Sequence, residues 1–324
     1  MSMTPKENFK AFLADQPYEW RPMRDDILRF SPQEFPDYPC KGLVSQQEPY
    51  KGPAGGRGWF GVEWLYEPQA GGAIDVGRVI DSIADWEKVP FTPLDSYDWE
   101  GIAERNSEFL ARDKFLQLTL YSGFMERLIA LINFEDTLLT LIDEDLQEPL
   151  WAFFSKLSDY YIDFIRRCRK HFGIEFVEIH DDWGAQNAPL ISMETQRKTL
   201  QPHIKKVIDA CHEEGIVYLQ HSCGRVQEIF DCIVESGADT WIGQWGVNDR
   251  VEMYHKYPGF HFGAPIRPAN TGTVDDMIRS AEEQLRVYDG LRVWFFTDLR
   301  RIPKDCLPQV RSFIRDYIMD SGQV

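Results

Sequence analysis

From residue 113 onward, short apolar runs alternate with longer stretches whose apolar residues recur at helical spacing. The run "KFLQLTLYSG" ends at Tyr121, and a long helical stretch follows over 135–171. "GIEFVEIHDDWG" holds the next predicted strand. "SMETQRKTLQPHIKKVIDACHEEG" is an amphipathic helix with Gly215 as its C-terminal cap. The series continues with the strand "IVYLQHSCG", the helix "VQEIFDCIVESG" and the strand "ADTWIGQWG". It closes with a helix near 249–257, the strand "GFHFGAP", a helix over 273–288, the strand "LRVWFFTD" and the helix "CLPQVRSFIRDYIM".

Six βα units in succession predict parallel strands covered by helices. Residues 1–112 have a different texture, rich in Pro, Gly and aromatics, with turns and short strands around a hairpin at 58–67. If that region supplies two further strands, the chain is a single α/β domain. The predicted fold is a TIM-type (β/α)8 barrel with an elaborated N-terminal region (1–112) and regular units over 113–324. No GxGxxG follows any strand, which argues against an open dinucleotide-binding sheet.

Composition narrows the function classes. The 324 residues are 43% hydrophobic, enough for one large core, and the formal net charge is −17 without any basic run. A nucleic-acid partner is therefore not expected. Apolar runs fall short of the roughly 20 residues of a membrane helix, and no signal-peptide pattern opens the sequence. Six scattered cysteines fit reduced thiols, so the expectation is a cytoplasmic protein without a membrane partner.

In a βα barrel the reactive groups sit at the C-terminal ends of strands. Those ends here carry Tyr121, then His180, Asp181, Asp182 and Trp183, then His221 and Cys223, then Gln244, Arg267 and Asp298. His221 and Cys223 lie two apart on an extended segment and point the same way. Imidazole and thiolate are zinc ligands, and a catalytic zinc takes three protein ligands with one position open. A core histidine beside a buried cysteine would have the same spacing. Asp298 is the favoured third ligand, ahead of Cys306, which falls eight residues later. One of Asp181 and Asp182 faces the pocket as a base or metal-orienting carboxylate, while the other caps a turn. His180 reads as structural. Tyr121 is a candidate catalytic hydroxyl; Gln244, Arg267 and Trp183 are candidates for substrate binding, each with a structural alternative.

The strand-end motifs, in their order, resemble the uroporphyrinogen decarboxylase-like superfamily, including its corrinoid-dependent methyltransferase branch. The resemblance rests on "MTPKENF", "GFMERLIALINFED", "HDDWGAQ", "QPHIKKVIDACHEEGI", "HSCGRVQEIFDCIVESGAD" and "FGAP". It implies a TIM barrel. The decarboxylases of that superfamily use an Arg-rich N-terminal motif, of which this chain has only "EWRPMRDD" with Arg21 and Arg24. The methyltransferases hold zinc with a His-x-Cys pair and a later cysteine. Here His221 and Cys223 match the pair, and the later position falls at 298–300, where no cysteine stands. An Asp298 ligand would make a harder site, suited to a methoxy compound more than to a thiol.

The leading expectation is thus a zinc-dependent methyltransferase. It would exchange a methyl group between a small methoxy, methylamine or thiol substrate and the cobalt of a corrinoid (cobalamin) carried by a partner protein. A homodimer is a further expected partner state. The alternatives are a metal-free lyase acting on a tetrapyrrole or other acid, and a non-catalytic corrinoid- or tetrapyrrole-binding module.

Overall fold

The computed structural model describes residues 3–69, 72–299 and 301–320. Its strands are β1 (Ile27–Phe30), β2 (Gly56–Arg57), β3 (Glu63–Glu67), β4 (Gly72–Val76), β5 (Phe115–Leu120), β6 (Phe176–His180), β7 (Val217–Ser222), β8 (Thr240–Gly243), β9 (His261–Ile266) and β10 (Val293–Thr297). Among the helices are α1 (Pro5–Leu13), α2 (Asp37–Lys41), α3 (Met125–Ile132), α4 (Gln147–Phe172) and α5 (Gln201–Glu213).

All six strands predicted beyond residue 113 are present as β5 to β10. Two predicted helices are each divided. The 135–171 stretch breaks between Phe134–Ile142 and α4, where Asp143 turns to an extended conformation and caps a short turn. The 192–214 stretch breaks before α5, whose first turn holds Pro202, a residue that starts helices and interrupts them elsewhere. Gly215 does end that helix, with φ of 65° and its N–H on the His212 carbonyl at 3.0 Å.

Among the described residues the N-terminal region supplies one strand of this series, β1, and not the two that an eight-stranded barrel requires. Its other strands, β2 to β4, form a separate antiparallel sheet, with Arg57 opposite Glu63 and Leu65 opposite Ile74. The apolar alternation around the predicted hairpin is spent on that sheet. The chain divides into two compact units, one of residues 29–112 and 116–238 and the other of residues up to 28, 113–115 and from 239 on.

In the first unit β5, β6 and β7 run parallel, with Leu118 opposite Val177 and His180 opposite His221. Every residue of β5 is buried, including Gln117 and Thr119. These two satisfy a buried Glu178 on β6: Gln117 Nε2 donates to its carboxylate, and Thr119 Oγ1 does so at 3.3 Å. The aromatic N-terminal segment folds over α4. Phe35 and Trp59 bring their rings to 4.9 and 5.0 Å from Phe164. The burial of several such rings, each worth about 2 kcal/mol, holds the parts of this segment that lie outside the β2–β4 sheet.

In the second unit β8, β9 and β10 run parallel, with Trp241 opposite Phe262 and Phe295 opposite Ala264. α1 begins with a Thr4–Glu7 capping box and Pro5 in its first turn. Its Phe9 ring lies 5.7 Å from Trp294. Arg21 is buried and donates to the Tyr288 carbonyl at 2.8 Å and to Asp289 at 3.1 Å. Among the described residues no helix is long and apolar enough to cross a membrane, and all six cysteines are free.

Candidate metal centre and substrate pocket

The parallel register of β6 and β7 sets His180 directly opposite His221. Their rings stack at 3.7 Å with 17° between planes. Just beyond these strand ends the two loops interlock through glycines. Gly224 has φ of 76°, and a Cβ there would overlap the backbone of Gly184; one on Gly184 would strike Gly224 and Arg225. The Arg225 N–H bonds the Ala185 carbonyl at 2.7 Å across this contact. "DDWG" and "HSCG" are therefore two halves of one tight backbone junction. It brings Asp182 beside Cys223, whose N–H donates to Asp182 Oδ1 at 2.6 Å.

The donor atoms gather around His221 Nε2. Cys223 Sγ lies 3.3 Å from it and Asp182 Oδ1 3.5 Å. Ligand atoms of His180, Asp182 and His221 all fall within 4.8 Å of one another. A tetrahedral zinc with Zn–N of about 2.1 Å and Zn–S of about 2.3 Å spreads its ligands roughly 3.4–3.6 Å apart. Sulfur and carboxylate oxygen each stand at nearly that spacing from the imidazole nitrogen. The far nitrogen of His221, Nδ1, is buried without a hydrogen-bond partner, and Glu178 Oε1 stands 4.0 Å from it. A carboxylate behind a histidine is the arrangement that orients metal-bound imidazoles. The residues present fit a zinc ion.

The electrostatics follow the packing. Burial alone would lower the pKa of His180, but the Glu126 carboxylate at 3.6 Å, with Asp182 and Glu178, raises it to about 9. Burial and the neighbouring His180 lower that of His221, yet Asp182 and Cys223 leave it raised. Burial would raise Asp182, but the His221 hydrogen bond and the two imidazoles draw it down to about 2. Without a metal, the cluster is a pair of stacked histidines bound to a firmly ionised carboxylate.

Asp181 has another task. It is wholly buried, and its carboxylate accepts from the backbone N–H groups of Phe124, Met125 and Glu126 at 3.0, 3.2 and 2.8 Å, and from Trp183 Nε1 at 2.9 Å. It thus braces the N-terminus of α3, which carries Glu126. Burial and the nearby Glu126 push its pKa up to about 7, against those four donors. Trp183, read from the sequence as a substrate-facing ring, is only 1% exposed; its indole N–H is committed to Asp181 and its backbone N–H to Ser222 Oγ. It is part of the frame and not of a pocket wall.

Next to His180 a cavity of about 360 Å³ opens within this unit. Lys41, Tyr66, Tyr121, Glu126 and His180 contribute to its walls. Its size lies within the range of small-ligand sites. Tyr121 keeps its predicted place at the end of β5, its hydroxyl accepting from Arg29 Nη1 at 3.2 Å. Sequence reasoning missed His180, Glu126 and Lys41. His180 was the one of the three with a signal, since it precedes "DDWG" at a strand end.

The remaining predicted residues belong to the other unit. Gln244 follows β8, and its carbonyl accepts from Asn248 at 2.8 Å. Arg267 follows β9 and brackets Gln284 through its backbone; it lines a cavity of about 450 Å³ with Trp245, Asp249 and Arg250. Asp298 follows β10, with its N–H on the Ile266 carbonyl at 3.0 Å. Cys306 is a free, partly exposed thiol just ahead of Leu307–Asp320. Arg300, at the edge of the 298–300 stretch, lies outside the described residues.

No family model matches this sequence, and no curated protein matches it by sequence. Among solved structures the chain is similar over 98% of its length to a methyltransferase from Methanosarcina mazei, covering 99% of that chain, with a TM-score of 0.66 and 14% identity. That likeness shows the fold. An Old Yellow Enzyme from Pichia sp. AKU4542 is aligned over 67% of this chain and 66% of its own, at TM-score 0.40 and 13% identity. D-psicose 3-epimerase from Clostridium cellulolyticum H10 is aligned over 70% and 86%, at 0.39 and 10%.

Proposed function

We propose that the protein is a zinc-dependent methyltransferase that moves a methyl group between a small substrate and the cobalt of a corrinoid carried by a partner protein. The observation that carries the reading is that Cys223 Sγ and Asp182 Oδ1 both lie within 3.5 Å of His221 Nε2, in a cluster whose His180 lines a cavity. A fold shared with a methyltransferase supports it. His221 and Cys223 hold the metal, and Asp182 supplies the third ligand from the same unit. Asp298, the third ligand expected from the sequence, is the competing assignment. When bound, zinc lowers the pKa of a coordinated alcohol or thiol, or polarises an ether oxygen.

The chain's own residues do the rest. His180, stacked on His221 and tied to Glu126, fixes the orientation of the liganding ring. Tyr121 accepts from Arg29, which leaves its own O–H to donate to a substrate oxygen at the cavity wall. An oxygen that loses its methyl group needs one proton, and Tyr121 stands where it can give it. The alternative of a metal-free decarboxylase loses support from Arg21, which is spent on Tyr288 and Asp289 within its own unit.

Elemental analysis of purified protein tests the reading. About one zinc per chain is expected, with loss of zinc in His221→Ala and Cys223→Ala. Zinc lost in Asp182→Asn but kept in Asp298→Asn supports Asp182 as the third ligand; the reverse pattern restores Asp298. Zinc-free protein of full activity would overturn the metal reading altogether. Zinc-loaded protein that binds a corrinoid protein yet transfers no methyl group would indicate the binding-module alternative.

A further inference from the structure

We infer that Lys41 is the specificity residue of the pocket beside the metal cluster, and that its ammonium takes the carboxylate of a small aromatic acid. Lys41 is the last residue of α2, from the segment whose sequence carries no periodic pattern. Its Nζ donates to the Tyr121 carbonyl at 2.7 Å and to Ser122 Oγ at 3.0 Å, and it sits 4.1 Å from the centre of the Trp64 ring. These partners are neutral. An ammonium has three N–H donors, so one is left over on a residue that lines the cavity.

The charges around Lys41 are already engaged elsewhere. Asp37 is paired with buried Arg127 at 2.6 Å. Glu126 faces His180 at 3.6 Å. No carboxylate among the described residues comes within ion-pair distance of Lys41 Nζ. A half-buried cation without a counter-ion is costly unless something supplies one. Burial accordingly lowers the Lys41 pKa, while Glu126 and Asp37 act against the shift from a distance. In a chain of net charge −17, this cation marks the Lys41 end of the pocket. An anion is the ligand group that completes such an end.

The rest of the pocket sets the shape of the ligand. Tyr66 and Tyr121 supply aromatic surface, and Leu43 and Ala73 are apolar, while Gly42 and Gly72 add no side chain. A planar ring fits between such walls. With its carboxylate on Lys41, its far edge points to the His180 side, where Tyr121 and the metal cluster meet. Which end of the acid reacts rests on the methyl-transfer reading above; the acid's binding does not.

Binding is therefore measured without turnover, on chelator-treated protein, so that zinc cannot attract the carboxylate. The paired probes are 3-methoxybenzoate and its neutral analogue 3-methoxybenzamide, followed by calorimetry and by saturation-transfer NMR. Wild-type protein is expected to prefer the acid by about tenfold or more, the scale of a charge-assisted hydrogen bond. Lys41→Met is expected to abolish that preference while leaving the amide's affinity unchanged. The wild-type pair decides the question even if the variant folds poorly. Equal binding of acid and amide, no binding of either, or a preference that survives Lys41→Met overturns the proposal. A preference that stands while no methyl transfer is found would overturn only the functional reading.

Discussion

Two adjacent aspartates show how far surroundings, and not residue type, assign chemistry. Asp181 is buried under four N–H donors and pushed up to about 7, whereas Asp182 is drawn down to about 2 by the imidazoles it faces. Asparagine at 181 would keep one acceptor oxygen and put an amide NH2 among groups that can only donate. Asp181→Asn is therefore expected to cost roughly 2–3 kcal/mol in urea unfolding, while the folded fraction keeps its zinc. Asp182→Asn should instead lose the bound zinc outright while the chain still folds. If Asp181→Asn loses metal without losing stability, the division of labour is wrong. The sequence made the pair conspicuous and gave one of them a capping role, but could not say which. That choice depends on the α3 N-terminus, which arrives from 55 residues away in the chain. His180 was set aside for a similar reason, because strand alternation alone does not reveal that its neighbour in register is His221.

At the scale of elements, the βα rhythm beyond residue 113 was legible because buried parallel strands and amphipathic helices leave distinct periods. The N-terminal segment was not legible in the same way. Its stability comes from rings such as Phe35 and Trp59 packing on α4, and such contacts leave no period in the sequence. Lys41 is part of that segment, so the pocket stayed hidden with it. The motif glycines are a further case, since "DDWG" and "HSCG" looked like two separate strand ends. They are one junction, in which Gly184 and Gly224 allow the backbones to touch and so hold Asp182 against Cys223. Gly224→Ala combines an unfavourable φ with overlap against fixed backbone. A loss of more than about 3 kcal/mol is expected, together with loss of zinc. Gly173→Ala shares the positive φ of 72° but meets nothing within 4 Å, so about 1 kcal/mol is its expected cost. Comparable thermal shifts in the two variants would show that strain at φ, and not the interlock, matters at 224.

Stability against pH belongs to the molecule as a whole. At net charge −17 the chain repels itself, and mild acid relieves that repulsion by neutralising carboxylates. Any acid-side weakening must then come from particular groups whose folded and unfolded affinities for protons differ. His203 on α5 is one that stands clear of the metal cluster. Its ring packs 4.5 Å from Trp151 and 5.6 Å from Phe154, and its Nε2 has no hydrogen-bond partner. Burial, with the charge of Lys206, lowers its pKa to about 4 from an ordinary 6.5. Between those values the unfolded chain holds more protons than the folded one, so stability rises with pH across that window. The contribution is complete above about pH 6.5 and is lost as pH falls towards about 4. Allowing for solvent screening, it amounts to about 2 kcal/mol. His203→Leu removes the titration and keeps an apolar group among the same rings. Urea unfolding of both proteins at about pH 7 and about pH 4.5 should show the difference between them moving by about 2 kcal/mol in favour of the leucine variant on acidification. The comparison cancels every other titrating group. A difference that stays constant over that range would mean that the imidazole titrates alike in the folded and unfolded chains.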